Sequence, residues 1–138
     1  MERTYTTPLL DKLGVKPGAR VAIIDVPDTD FRALLSERTT DITDGWPEPE
    51  TDLILLGADS IDELLRIGPL QESLVPNGAI WVVSRKGKAA TLRDIDVIDA
   101  AKAVGLVDNK VASFSATHTA LRLVIPVARR GVPSRHAS

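Results

Sequence analysis

Three stretches of the chain, residues 20–26, 52–56 and 79–84, are apolar almost from end to end, and the sequence between them carries helical spacing. A strand with apolar side chains on both faces has to be covered on both faces, the condition met by a parallel sheet with helices packed on either side. The expected architecture is therefore a three-layer α/β domain. Two further strand-like runs, residues 107–114 and 120–125, are separated by only a few residues. They are expected to form an antiparallel hairpin at one edge. The 138 residues suffice for one core, placed at residues 1–128, with the basic, turn-rich segment 129–138 read as a disordered tail.

Local signals supply the helices. Thr7 and Pro8 open a short helix that carries Leu9, Leu10 and Leu13 to Gly14, a lid over one edge of the core. Phe31, Ala33, Leu34 and Leu35 make a second helix, capped by Asp28 or Thr29, and residues 39–43 add a brief strand. Residues 44–50, Asp-Gly-Trp-Pro-Glu-Pro-Glu, form a loop. Ser60 and Glu63 have the spacing of a capping box, so a helix starts there. It carries Leu64, Leu65 and Ile67, breaks at Gly68-Pro69, resumes through Leu70 and Leu74, and ends at Pro76-Asn77-Gly78. A last helix spans residues 91–104, ended by Gly105.

Composition removes several functional classes. A formal charge of −2 provides no field to gather nucleic acid or anionic lipid, and the absence of cysteine excludes thiol nucleophiles and cysteine metal sites. With only His118 and His136 for imidazole chemistry, no metal site is expected. No apolar run approaches the roughly 20 residues needed to span a bilayer, and residues 1–5 are polar. The expectation is a cytoplasmic protein with neither membrane nor nucleic acid among its partners.

The most informative departure lies at the first strand-to-helix turn, where Asp25-Val26-Pro27-Asp28-Thr29-Asp30 contains no glycine. Open α/β sheets bind cofactors at this place, because glycines let the backbone approach a phosphate or nucleoside closely. Elsewhere Leu13-Gly14-Val15-Lys16-Pro17-Gly18-Ala19-Arg20-Val21, Thr51-Asp52-Leu53-Ile54-Leu55, Leu74-Val75-Pro76-Asn77-Gly78-Ala79-Ile80-Trp81-Val82 and Ala103-Val104-Gly105-Leu106 follow one another in a recognisable order. They resemble the scaffold motifs of class I S-adenosylmethionine-dependent methyltransferases over most of residues 9–127. The chain is similar to an uncharacterised bacterial family with a shrunken form of that fold.

The resemblance implies a methyltransferase-like (Rossmann-like) sheet whose third strand is missing, since residues 43–52 are too few for that strand and its helix. It also implies where cofactor-binding residues would lie. The glycine-rich first turn is reduced to Asp25, Asp41 or Asp44 stands where an acid would hold the ribose, and no Asn-Pro-Pro-Tyr-like motif follows Leu56. No cofactor and no catalytic residue are expected.

The candidate ligand-binding residues are Asp25, Asp28, Asp59, Arg85 and Lys86, all near the carboxyl ends of strands. Helix capping is the commoner role for Asp28 and Asp59, and a solvated loop for the two cations, although the two sets could pair across a crevice. His118, in the hairpin turn, reads as a surface residue, Trp81 as core, and Trp46 as either a cover over the shortened edge of the sheet or an interface residue. Three functional classes follow, in order of preference. The first is a non-catalytic domain acting through an unknown protein partner or self-association, because a missing strand leaves an edge to be covered. The others are a small-ligand or nucleotide-binding protein using the crevice, and an active methyltransferase of reduced size.

Overall fold

The computed structural model describes residues 7–130. Six strands form one sheet in the order β2-β1-β3-β4-β6-β5: β1 (Val21–Ile24), β2 (Ile42–Asp44), β3 (Thr51–Gly57), β4 (Leu74–Arg85), β5 (Val107–Ser113) and β6 (His118–Val124). The first four run parallel, with β1 between β2 and β3. β6 pairs antiparallel with both β4 and β5, so the expected hairpin forms one edge. At the other edge β2 has no outer neighbour among the described residues, as the missing third strand requires.

The alternation of each parallel strand feeds two cores. One face carries Val21, Ile23, Leu53, Leu55 and Trp81 against α1 (Thr7–Leu13) and α2 (Thr29–Arg38); the opposite face carries Ala22, Ile54, Leu56, Ile80 and Val82. That second face is covered by α3 (Ile61–Leu64), α4 (Ile67–Leu70) and α5 (Asp94–Ala103). Helix α1 thus lies on a sheet face and not over an edge. Its position is fixed by apolar packing and by the Trp81 indole N–H, which donates to the Leu13 carbonyl at 2.9 Å inside the core. Phe31 and Phe114 complete this layer, with ring centroids 4.9 Å apart.

Several boundaries differ from the sequence expectation, among them the start of the last helix, at Asp94 and not at residue 91, and of the last strand, at His118 and not at residue 120. The capped helix after Ser60 breaks into the single turns α3 and α4 and a 3-10 turn, Gln71–Ser73, and the chain is already in β4 by Leu74. Pro76-Asn77-Gly78 therefore sits within the strand, at an irregularity where Thr51 pairs with Leu74 and Leu53 with Ala79. Gly78 is needed there, because a Cβ would come within 2.9 Å of the Asp52 carbonyl oxygen. The brief second strand falls at Ile42–Asp44, where its backbone can pair with β1. Arg129 and Arg130, assigned to the tail from composition, belong to a short helix α6 (Val127–Arg130), since their side chains donate to the carbonyls of Gly105 (2.6 Å) and Ile125 (2.7 Å). His136 and the rest of the tail, like the polar residues 1–5, lie outside the described residues.

Leu55 is fully buried at the centre of β3. Leu55→Ala should cost about 2–5 kcal/mol through lost burial and an unfilled cavity, lowering the thermal unfolding midpoint by several degrees, with Ile23→Ala and Val82→Ala acting in the same direction. Unchanged midpoints would place these side chains outside the core.

Candidate functional site

Parallel strands end together, so their following turns converge on one end of the sheet. There Asp25 leaves β1 with a left-handed backbone, φ 56°, unusual for a residue with a side chain. Its carbonyl presses against Gly57 at the end of β3, where a Cβ would lie only 1.9 Å from the Asp25 oxygen. Only glycine fits. Arg66, just beyond α3, locks the same contact: its guanidinium donates to the Asp25 carboxylate at 2.6 Å, to the Gly57 carbonyl at 3.1 Å and to the Glu63 carbonyl at 3.2 Å.

Asp28 caps α2, its carboxylate accepting from the Phe31 amide at 2.9 Å. Asp59 occupies the turn after β3, where its side chain accepts from the Arg85 amide at 3.0 Å and faces the Arg85 guanidinium at 3.7 Å. The expected acid-to-base pairing across the crevice thus exists for Asp59 and Arg85. Ser60 and Glu63 form the capping box, with Ser60 accepting from the Glu63 amide and Glu63 accepting from the Asp59 amide.

Asp25, Asp28, Asp59 and Arg85 line an open hollow of about 550 Å³ together with Gly57, Val83, Phe114, Thr117 and His118, among others. Lys86 is not part of this lining. Its ammonium donates to Ser113 at 2.8 Å, because the chain turns at Lys86 to meet the Thr117 carbonyl. His118, read from sequence as a surface residue, borders the hollow because it pairs in register with Arg85. Its Nδ1 lies 2.8 Å from the Thr117 hydroxyl.

A shallower hollow of about 320 Å³ opens between the ends of β1 and β2, lined by Ile23, Pro27, Asp44 and Gly45 among others. Asp44 is committed within the chain: Arg32 of α2 grips its two carboxylate oxygens at 3.1 and 3.0 Å. Asp41, the other acid considered for this place, pairs with Arg20 at 3.0 Å. Arg32 and Arg66 were not singled out by sequence. The only local sign was the spacing of Arg66 three residues beyond Glu63, and nothing in the sequence announced pairing with Asp25 forty-one residues earlier.

Trp46 follows Gly45 just beyond the end of β2 and is 54% exposed. Among the described residues no group of three or more metal-ligating side chains converges, and no helix is long and apolar enough to cross a membrane.

Several solved structures share this architecture. A SAM-dependent methyltransferase from Aquifex aeolicus superposes with a TM-score of 0.65 at 11% identity, over 86% of this chain and 88% of that one. Magnesium protoporphyrin IX methyltransferase from Synechocystis PCC 6803, solved with bound SAM, gives 0.56 at 10% identity, covering 86% and 74%. A SAM-dependent O-methyltransferase from Thermotoga maritima gives 0.56 at 13%, covering 87% and 64%. At these identities the likeness establishes the fold, a methyltransferase Rossmann-like α/β sheet. No protein-family model and no curated protein matches the sequence.

The pairing of Asp44 predicts its titration. Hydrogen bonds from Arg32 are the largest influence and lower the carboxyl below its ordinary value of 3.8; partial burial opposes them and the guanidinium charge adds to them. Because the folded value lies below the unfolded one, the contribution of the pair to stability is complete above about pH 3.8 and is lost as pH falls through the folded value. Carboxyl NMR should show Asp44 titrating low in the native chain and returning to its ordinary value in Arg32→Gln. Identical midpoints in the two proteins would remove Arg32 as the cause.

Proposed function

We propose that this methyltransferase-like domain is non-catalytic, does not use S-adenosylmethionine, and acts through protein contacts, including self-association, at the shortened side of its sheet. One observation carries the reading: the acids that the resemblance would place on the cofactor are already paired with arginines of the same chain, Asp25 with Arg66 and Asp44 with Arg32. A ribose would have to displace a two-pronged guanidinium from Asp44. A methionine carboxylate would enter a turn bearing Asp25 and Asp28, beside Asp59, while the amide of Phe31 in the first turn of α2 is already satisfied by Asp28. The residues present do not fit that cofactor.

The contact half of the proposal rests on the other edge of the molecule. β2 is only three residues long and is paired on one side only among the described residues, and Trp46, just beyond its end, is largely uncovered. Aromatic side chains in such positions are frequent anchors of protein interfaces. A second reading, a small-ligand-binding protein, is favoured by the 550 Å³ hollow; its three acids against Arg85 suit a polar or cationic ligand better than an anionic one.

Light scattering over a concentration series separates these. The contact reading expects the wild-type chain to associate as concentration rises and Trp46→Ala to remain monomeric, or the wild type to be monomeric and Trp46 to become protected only with a protein partner. A monomeric wild type whose Trp46 fluorescence responds to no protein partner would retire it and leave the hollow to carry function.

A further inference from the structure

The opposite end of the sheet holds an arginine with no partner among the described residues. Arg122 lies in β6 between Ala120 and Val124, on the face packed beneath α1, opposite Trp81 of β4 and Lys110 of β5. It is half-buried. Every other described arginine donates from its side chain to a carboxylate or carbonyl or faces a carboxylate, whereas among the described residues nothing accepts from the Arg122 guanidinium and no carboxylate lies within ion-pair distance. Its surroundings press on the charge: burial pushes the guanidinium below its ordinary value, and the neighbouring charge of Arg130 pushes it further in the same direction. A guanidinium does not shed its proton inside a protein, so the charge persists and its donors are available to an anion.

The space for one is beside it. Arg122 lines a hollow of about 450 Å³ under the α1–β1 loop, together with Lys16, Asn77, Asp52 and the backbone of residues 14–19. The other charges nearby are spoken for. Lys110 donates to the Lys12 carbonyl at 3.1 Å, Arg130 to the Ile125 carbonyl at 2.7 Å, and the Asp52 carboxylate accepts from the Arg20 amide at 2.9 Å. What remains is Arg122, with five donors in a planar fork, and Lys16 in the same lining.

We propose that this hollow binds a small oxyanion, the phosphate or carboxylate group of a low-molecular-weight ligand, held in the fork of Arg122 with Lys16 as the second cation and the Asn77 amide as a further donor. The site lies at the end of the sheet away from the crevice and is independent of the contact reading. Planar two-point donation suits both phosphate and carboxylate. Asp52 at the rim opposes a purely anionic ligand and favours one that also carries a hydrogen-bond donor or a positive group.

The test titrates the full chain at constant ionic strength with inorganic phosphate and, separately, with malonate, followed by calorimetry and by the Nε–Hε resonance of Arg122. The expected result is saturable binding that shifts this resonance, weakened about tenfold or more in Arg122→Gln and to a lesser degree in Lys16→Gln, with Lys102→Gln on α5 behaving as wild type. Tighter phosphate binding identifies a phosphate-bearing ligand, and tighter malonate binding a carboxylate-bearing one; either order supports the site. Absence of saturable binding of both anions, or equal affinity in Arg122→Gln, overturns the proposal. Should Arg122→Gln fail to fold, the other two readouts decide: an unmoved Arg122 resonance or an unaltered Lys16→Gln overturns it equally.

Discussion

Gly57 has no Cβ, and the carbonyl oxygen of Asp25 takes the place one would fill. This close approach lets the ends of β1 and β3 come together, and it forces Asp25 into a left-handed conformation that sends the chain sharply toward Pro27. Arg66 then joins the Asp25 carboxylate to the Gly57 carbonyl. The first turn of the sheet is thus built from contacts between strand ends. In a glycine-rich turn the corresponding backbone would be left open toward a ligand.

The arginine pairs at the strand ends act through geometry and charge more than through stability. Asp25 and Asp44 are largely exposed, and ion pairs of that kind contribute little to folding in water. Their effect is local: each guanidinium occupies part of the acceptor capacity of its acid, at Oδ2 of Asp25 and at both oxygens of Asp44. The stability of the domain rests instead on two apolar layers, in which Leu55 and Trp81 on one face and Ile54 and Ile80 on the other are fully buried. A fold held by its core is free to differ at its strand-end turns, and the sharing of this architecture with structures only 10–13% identical fits that separation.

Much of this architecture was legible because it depends on local patterns. Residues 20–26 and 52–56 are apolar almost throughout because both faces of their strands are covered, and the spacing of Ser60 and Glu63 specifies a helix start whatever surrounds it. The failures came where tertiary contact overrides local signal. Pro76-Asn77-Gly78 reads as a turn, yet Gly78 lies in β4 because the Asp52 backbone packs against it. At the strand ends Asp25, Asp28, Asp59 and Arg85 were identifiable from position alone, whereas Lys86 turns away to Ser113 and His118 enters through its register with Arg85. The pairings of Arg66 and Arg32 were not legible, since a side-chain contact between distant segments leaves no periodicity in the sequence.

The central claim is that the strand-end turn is closed to the cofactor of the structural neighbours by the chain's own residues. Isothermal calorimetry of the full chain with S-adenosylmethionine tests it most directly. The account predicts no saturable heat at cofactor concentrations where a methyltransferase would be occupied. Saturable binding in the micromolar range, or transfer of a labelled methyl group from the cofactor to any acceptor, would contradict it.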